Sequence, residues 1–393
     1  MLNKIYLAIS SAIPVIFRIL VLFISSKIII GDSVSSFVND YNVVLAVSLL
    51  SSMGVASHCL VYTSKDNSKN YLFTSLVFVS ITSLMAALAI YFLWQYQYVY
   101  YFKSLVAYSC SYSFYMVLRH FFLGKQRYLT IVIYELFICG IFLLSLCFYN
   151  VTTSDDLFEV LSFSYAFVTI ILISRNIKLS FFFEELNKEN SLKYIAHSSL
   201  SNFISSGIGF LIPSYINHFI SKDIVLNISL IQQMSSLVTF VTRNVSLFYI
   251  AIFSATQDLY RNYCNFTKIN NIVLSLSILV FVISLSIYSI LFKLDVYFSL
   301  TSLFVILFVV FSQVSLPASN ILMVRNKVEK ITFSNGVFCL LCIVVFLLFI
   351  LVYGMLELQP WKAATLLYIL LCLNQIVKSY MILNFAKMEL SIK

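Results

Sequence analysis

Four basic residues interrupt stretches of sequence that are otherwise almost purely apolar: Arg18, Arg119, Arg243 and Lys378. An unpaired charge near the middle of a membrane costs at least ~2.5 kcal/mol on insertion scales, so such residues normally face a protein interior or an aqueous cavity. Glu135 is the one acidic residue that stands clearly within the same stretches. This positive surplus predicts a cationic cavity for an anionic substrate. Arginine suits phosphate because its planar fork donates two parallel hydrogen bonds.

The same charged side chains have alternative roles. Arg119 and Lys378 lie towards the cytoplasmic ends of their stretches and could snorkel to the interface. Glu135 could form an ion pair with an arginine, or it could take and release a proton as intramembrane carboxylates in transporters do. Arg18 lies near the middle of its stretch and is the residue for which snorkelling is hardest.

Uncharged polar residues within the stretches are candidate sugar contacts. Asn202, Gln232, Asn244 and Asn374 could hydrogen-bond the hydroxyl groups of a saccharide. The competing interpretation is structural, because polar side chains also join transmembrane helices through hydrogen bonds of about 0.6 kcal/mol each.

Residues that bend helices stand in the opening stretch of each half of the chain. Pro14 lies in the first half and Pro213 in the second, where Gly207 and Gly209 precede it. Proline removes a backbone hydrogen bond and kinks a helix. We predict that these positions bend during transport. Ordinary kinks and close helix contacts are the alternative, since membrane helices tolerate both residue types.

Long apolar helices must position all these residues. The chain is 61% hydrophobic and 10% charged, whereas soluble domains carry about 25% charged residues. A membrane-spanning helix needs ~20 mostly apolar residues, and about twelve stretches qualify. They cover residues 5–30, 41–63, 72–94, 103–123, 129–149, 157–175, 195–220, 224–250, 270–292, 297–323, 331–355 and 362–386.

The net charge is +9, and the predicted topology places most of the basic residues on one side of the membrane. With the N-terminus in the cytoplasm, 16 of the Lys and Arg residues other than the four named above fall on the cytoplasmic side and five on the other. This is the bias that the positive-inside rule requires. It predicts a multi-pass protein with both termini cytoplasmic and with no nucleic-acid partner.

The predicted spans divide into six before and six after a charged connection at residues 176–194. Two halves of matching topology are a common plan in transporters. The sequence therefore predicts an N-terminal six-helix lobe over 1–180, a cytoplasmic linker over 181–194 and a C-terminal six-helix lobe over 195–393.

Sequence signals for catalysis are weak. There is no phosphate-binding loop, no dinucleotide-binding glycine pattern and no metal-ligand spacing. His218 and Asp223 have the H-x-x-x-x-D spacing of some acyltransferases, but no companion motif accompanies them. The sequence therefore favours a non-enzyme with no bound cofactor and no metal site.

The architecture resembles the O-antigen flippases of the Wzx type, in the multidrug/oligosaccharidyl-lipid/polysaccharide exporter superfamily. The likeness covers the whole length: six plus six spans, short loops, basic residues in the first and eighth spans, and the basic turn RHFFLGKQR at Arg119–Arg127. The resemblance implies an all-α polytopic membrane fold with about 12 transmembrane helices in two six-helix lobes around a central cationic cavity.

The resemblance also implies a function. The substrate would be an undecaprenyl-diphosphate-linked oligosaccharide, moved by alternating access from the cytoplasmic to the periplasmic leaflet of the bacterial inner membrane. Arg18, Arg119, Arg243 and Lys378 would attract its diphosphate or acidic sugars. Membrane lipid and other O-antigen assembly proteins would be partners, and a gradient of H⁺ or Na⁺ would provide coupling.

Two alternatives remain at this stage. A multidrug exporter of the same superfamily would prefer an acidic cavity, because many drugs are cations. An integral membrane O-antigen polymerase would carry a large periplasmic loop, for which the short connections leave no room, and an O-acyltransferase would need more than the His218–Asp223 pair.

Overall fold

The computed structural model describes residues 2–29, 33–65, 71–176, 188–255, 258–292, 296–325, 327–356 and 358–391, and the regular structure within these ranges is entirely helical. The helices are α1 (Leu2–Ile28), α2 (Ser33–Lys65), α3 (Leu72–Gln95), α4 (Phe102–Gly124), α5 (Tyr128–Phe148), α6 (Ser154–Asn176), α7 (Lys188–Asn202), α8 (Ile208–Phe219), α9 (Val225–Ala255), α10 (Leu259–Phe292), α11 (Val296–Val314), α12 (Leu316–Val324), α13 (Val328–Leu356) and α14 (Pro360–Ser391). A π-helical turn, Phe203–Gly207, joins α7 to α8.

The predicted all-α membrane fold is confirmed. Within the described residues, every predicted span falls on helix apart from one or two residues at some span ends. The seventh span is divided between α7, the π-helical turn and α8, and the tenth between α11 and α12. Among the described residues, eight segments are long and apolar enough to cross a membrane by length and composition. They are Ser33–Leu60, Leu72–Gln95, Tyr128–Phe148, Ser154–Asn176, Leu259–Ile283, Tyr297–Met323, Val328–Tyr353 and Pro360–Leu390.

The chain forms two compact units, Met1–Tyr215 and Ile216–Lys393. In the N-terminal unit α2 packs against α3, α4 and α7, while α6 contacts both α4 and α5, and α1 lies along α5. In the C-terminal unit α14 packs against α11, α12 and α13, and α9 packs against α10, α11 and α12. The first half of the predicted linker, 181–187, lies outside the described residues, whereas 188–194 are helical and belong to α7. The predicted lobe boundaries stay predictions.

Helix α4 is polar because it lies at the centre of the N-terminal unit. Sixteen of its 23 residues are buried by neighbouring helices. Serines join it to α2: the Ser48 and Ser109 hydroxyls are 3.0 Å apart and those of Ser51 and Ser113 are 2.7 Å apart. Small hydroxyl side chains let membrane helices approach closely. This interior position frees α4 from the need to present an apolar surface to lipid.

Polar side chains also join the helices of the C-terminal unit. The Asn320 amide donates to the Ser246 hydroxyl at 2.8 Å, which connects α12 to α9. Asn270 in α10 donates to the backbone carbonyl of Gln313 at 3.1 Å, and the Gln313 side chain accepts from Thr242 at 3.1 Å. These contacts lie beside the break at Ser315, where one predicted span becomes two helices.

One acidic residue has a different position from the one predicted. The sequence places Asp40 at the end of a short connection, whereas the structure buries it within α2. Its Oδ2 accepts from the backbone N–H of Tyr100 at 2.8 Å and of Tyr101 at 3.3 Å. These amides immediately precede α4, so the carboxylate stabilises the start of that helix. Glu135 is therefore not the sole acidic residue buried in a span.

Candidate functional site

Five buried tyrosines form a cluster in the N-terminal unit, which we call the tyrosine cluster: Tyr41 of α2, Tyr108, Tyr112 and Tyr115 of α4, and Tyr165 of α6. The three tyrosines of α4 occupy positions i, i+4 and i+7 and therefore share one helical face. Tyr165 lies 5.3 Å from Tyr112 and 5.4 Å from Tyr115, measured between ring centroids. Tyr41 stacks on Tyr108 with centroids 6.1 Å apart.

Arg18 points into this cluster. Its Nη2 donates a hydrogen bond to the hydroxyl oxygen of Tyr112 at 2.7 Å. The guanidinium carbon lies 5.4 Å from the centroid of the Phe210 ring, which is within the range of a cation–π contact. In the part of the chain that the structure describes, no carboxylate forms an ion pair with Arg18. Its positive charge therefore lies among aromatic rings and hydroxyl groups, and no carboxylate of the described residues neutralises it.

Arg119 has the opposite environment. Its Nε lies 2.7 Å from Oε1 of Glu135, and its Nη2 donates to the backbone carbonyl of Ser10 at 2.8 Å. Both side chains of the ion pair are almost completely buried. The pair joins α4 to α5, and the bond to Ser10 adds α1. Of the two roles that the sequence allows for Glu135, the structure shows the ion pair with an arginine.

A small cavity lies beside the Arg119–Glu135 ion pair. Tyr112, which binds Arg18, lines it together with Arg119, Glu135, Tyr115 and Pro14. The cavity volume of about 20 Å³ is enough for one water molecule. The Tyr115 hydroxyl and the second carboxylate oxygen of Glu135 have no hydrogen-bond partner among the described residues. Three of the predicted site residues, Pro14, Arg119 and Glu135, therefore line the same cavity as Tyr112. A fourth, Arg18, contacts Tyr112 through its hydrogen bond.

Lys378 lies in the C-terminal unit, on α14. It is buried, and its Nζ lies 4.9 Å from the centroid of the Phe338 ring of α13. Within the described ranges it makes no ion pair. One turn earlier, the predicted sugar contact Asn374 directs its amide to the Cys342 sulfur at 3.9 Å. The C-terminal unit therefore contains a buried ammonium group that pairs with no carboxylate of the described residues.

The other predicted sugar contacts are dispersed. Asn202 donates to the carbonyl of Ser198 in its own helix at 2.8 Å, and Gln232 is buried in α9. Arg243 and Asn244 also belong to α9, but their side chains are outside those that the structure describes.

The predicted bending residues coincide with irregular helix in the second half of the chain. Gly207 ends the π-helical turn, where an added Cβ would lie 2.8 Å from the Phe203 ring. Gly209 and Pro213 follow within α8. A π-helical turn of this kind often marks a functional site. By contrast, α1 continues as a helix on both sides of Pro14. Bending during transport stays a prediction.

Metal-binding geometry is not present in the described parts of the chain, where no group of three or more His, Cys, Asp or Glu residues is close enough to hold an ion.

The tyrosine cluster is the feature that sequence reasoning missed. Its signal was the spacing of Tyr108, Tyr112 and Tyr115, which places three polar-tipped rings on one face of a helix that also carries Arg119.

No protein-family model matches the sequence, and no curated protein matches it either. Solved structures, however, match the fold over nearly the whole chain. An outward-facing multidrug resistance MATE family transporter of the MOP superfamily has a TM-score of 0.71 at 12% identity, covering 99% of this chain and 94% of its own. MATE in the bent conformation gives a TM-score of 0.71 at 13% identity with the same coverage.

A third match is a MOP superfamily transporter from Pyrococcus furiosus whose binding pocket is described as having reversed polarity, suggesting a different function. It has a TM-score of 0.66 at 14% identity, covering 99% of this chain and 94% of its own. These identities establish the fold alone. The eight apolar segments and this likeness make the protein a multi-pass membrane protein with the fold of the MATE transporters of the MOP superfamily.

Proposed function

We propose that the protein is a flippase that moves an undecaprenyl-diphosphate-linked oligosaccharide from the cytoplasmic to the periplasmic leaflet of the inner membrane by alternating access. The observation that carries the proposal is Arg18, whose charge lies among buried tyrosines and is not neutralised by any carboxylate of the described chain. A diphosphate is an acceptor-only anion and matches the guanidinium fork in both charge and geometry.

The charge balance favours an anionic substrate over a cationic one. Two unit charges 4 Å apart interact by about 4 kcal/mol at the effective dielectric constant typical of protein surfaces. A cation beside Arg18 would meet this as repulsion, whereas a diphosphate would gain it as attraction. Glu135 does not reverse the balance, because it is paired with Arg119. Lys378 adds a buried cation in the C-terminal unit.

The structures that share this fold support the proposal because their binding pockets differ in polarity. The Pyrococcus furiosus transporter shares this fold, and the reverse polarity of its binding pocket suggests a different function for that protein. A MATE-type scaffold is therefore compatible with a binding site of the opposite charge. An unneutralised arginine in the N-terminal unit of the present chain fits that pattern.

Complementation tests the proposal directly. In a bacterium that lacks its own O-antigen flippase but makes the matching repeat unit, we expect the wild-type chain to restore surface polysaccharide. Arg18→Ala should lose this activity at equal membrane expression, and Arg18→Lys should retain part of it. Arg175→Ala is the matched control, since Arg175 is an exposed arginine at the end of α6.

Two results would contradict the proposal. Failure of the wild-type chain to restore export, even with its own repeat-unit synthesis genes, would reject the flippase function. Full activity of Arg18→Ala would keep the flippase and reject Arg18 as the substrate contact.

Drug export is the second candidate, because a multidrug resistance transporter shares the fold. The same strains distinguish the two functions. A lowered susceptibility to cationic drugs in cells expressing the chain, without restored polysaccharide, would favour the drug exporter.

A further inference from the structure

We propose that Tyr112 is the positioning residue of Arg18: its hydroxyl holds one nitrogen of the guanidinium fork so that the remaining donors face the diphosphate. This inference rests on the proposed function, which supplies the anionic ligand. It adds a residue that the sequence did not single out and assigns a task to the tyrosine cluster.

The contacts of Arg18 fix its orientation from two sides. The hydrogen bond from Nη2 to the Tyr112 hydroxyl is 2.7 Å long. The Phe210 ring lies across the guanidinium group at 5.4 Å. A guanidinium group has five N–H donors in a rigid plane, so holding one nitrogen and covering one face determines where the other donors point. The described chain takes only one of those donors, which leaves the others for acceptors on a ligand.

Tyr112 is itself held in place by other rings. It is buried, and its ring meets Tyr165 edge-to-face at 5.3 Å and Tyr108 at 6.0 Å. Tyr108 in turn stacks on Tyr41 at 6.1 Å. Three helices thus fix the position of one hydroxyl group. A donor fork that is already oriented before binding loses less freedom when the ligand arrives.

The chemistry of the holding group matters as much as its position. A carboxylate would orient an arginine equally well but would neutralise it, as Glu135 does for Arg119. The neutral hydroxyl of Tyr112 accepts a hydrogen bond and leaves the positive charge of Arg18 in place. The N-terminal unit therefore contains one arginine fixed by an anion and one fixed by a phenol, and the second is the one suited to bind phosphate.

The test uses Tyr112→Phe and the matched control Tyr165→Phe. Both variants remove one hydroxyl from the tyrosine cluster and keep the aromatic ring, but Tyr165 makes no hydrogen bond to Arg18. The probe is farnesyl diphosphate, a short isoprenyl diphosphate, bound to the purified full-length protein in detergent. Farnesyl monophosphate serves as the ligand with one phosphate fewer.

We expect Tyr112→Phe to weaken binding of the diphosphate about tenfold, the scale of a lost hydrogen bond to a charged group. The monophosphate should be affected less, and Tyr165→Phe should bind both ligands like the wild type. In the Arg18→Ala background, Tyr112→Phe should cause no further loss, because a residue that acts through Arg18 has no effect without it. Melting temperatures should be similar for the two phenylalanine variants.

The outcomes separate the inference from the proposed function. Equal binding by Tyr112→Phe and Tyr165→Phe, or a further loss in the Arg18→Ala background, would overturn the positioning role while Arg18 remains the anion contact. Unchanged diphosphate binding by Arg18→Ala would overturn both the Arg18 site and the role of Tyr112.

Discussion

Arg18 and Arg119 show how the same residue type takes two roles within one unit. Arg119 is enclosed by Glu135 and the Ser10 carbonyl, so its charge stabilises the packing of three helices. Arg18 meets a tyrosine hydroxyl and an aromatic face, and its charge is left for something else to neutralise. A charge within a membrane-spanning helix is costly when no anion pairs with it, which makes Arg18 the better candidate for function and Arg119 the better candidate for stability.

A stability prediction follows for the buried ion pair. Glu135→Gln keeps the shape of the side chain but removes its charge, so Arg119 would remain buried without an anion. Breaking a buried pair by changing one partner costs about 3–5 kcal/mol. We expect a clearly lowered melting temperature in detergent, measured by thermal unfolding of the purified protein.

The chain offers a control for this change. Lys330 and Glu389 form the other ion pair among the described residues, with a distance of 2.6 Å between Nζ and Oε1 but with much more access to solvent. Glu389→Gln should lower the melting temperature much less than Glu135→Gln, because solvent weakens an ion pair that it can reach. Equal effects of the two substitutions would mean that the Glu135 pair is not the stabilising contact that its burial indicates.

The sequence identified the charged residues but not their partners. Arg18, Arg119, Glu135 and Lys378 stand out because apolar stretches surround them. Which arginine is neutralised depends on which helices pack together, and that information is not local. Glu135 lies 16 residues from Arg119 and Ser10 lies 109 residues from it. Tyr112 is 94 residues from Arg18, so the tyrosine cluster could not be assigned to it from spacing alone.

At the scale of helices, apolar length was a good guide and polar segments were not. Helices α3, α5 and α13 lie within two or three residues of the predicted bounds, because a long apolar run predicts a lipid-facing helix directly. Helix α2 begins before the predicted span at 41–63, because Ser33–Asp40 is rich in serine and other polar residues and lacks the apolar pattern of a span. Those residues are helical because other segments cover them and satisfy them, as Tyr100 and Tyr101 do for Asp40.

The crossing of α2 and α7 depends on Gly54. A Cβ added there would clash with the Ser199 side chain and the Ile195 carbonyl, and would lie 2.8 Å from the Ser199 backbone nitrogen. Because backbone atoms cannot move aside, Gly54→Ala should push the two helices apart. We expect a loss of about 1–3 kcal/mol, the usual range for overpacking, measured as thermal stability of the purified protein.

Gly140→Ala in α5 is the control, since a Cβ at Gly140 meets nothing within 4 Å. It should leave stability unchanged or raise it slightly, because alanine favours helix over glycine by roughly 0.5–1 kcal/mol. A Gly54→Ala protein as stable as the Gly140→Ala protein would show that α2 and α7 do not need this close approach.

At the scale of the whole molecule, the chain keeps a transporter fold at 12–14% identity to the matching structures. Such low identity removes most residue-by-residue similarity. The sequence still shows the alternation of apolar helices with short turns, and it still shows basic residues concentrated in every second turn. The same alternation predicts which ends of the helices face the cytoplasm, and α4 offers a place to test it.

Helix α4 has two comparable turns at its ends. Gln97 lies between α3 and α4, and Gln126 lies between α4 and α5. Both are exposed and both have left-handed backbone conformations, with φ of 59° and 56°. The 23 residues of α4 span about 35 Å at 1.5 Å per residue, which is enough to cross a hydrocarbon core of about 30 Å. Lys125 and Arg127 flank only the second turn, so the positive-inside rule predicts that Gln126 is cytoplasmic and Gln97 periplasmic.

Cysteine labelling can decide this orientation. We expect a membrane-impermeant maleimide to label Gln97→Cys in intact cells and to label Gln126→Cys only after permeabilisation, in a background where the exposed Cys147 and Cys264 are replaced by serine. Since the two positions share residue type, exposure and backbone conformation, any strain from substitution affects both alike. The reverse pattern would place both termini outside the cytoplasm and remove the basis for a substrate collected from the cytoplasmic leaflet. Labelling of both positions in intact cells would mean that α4 does not cross the membrane.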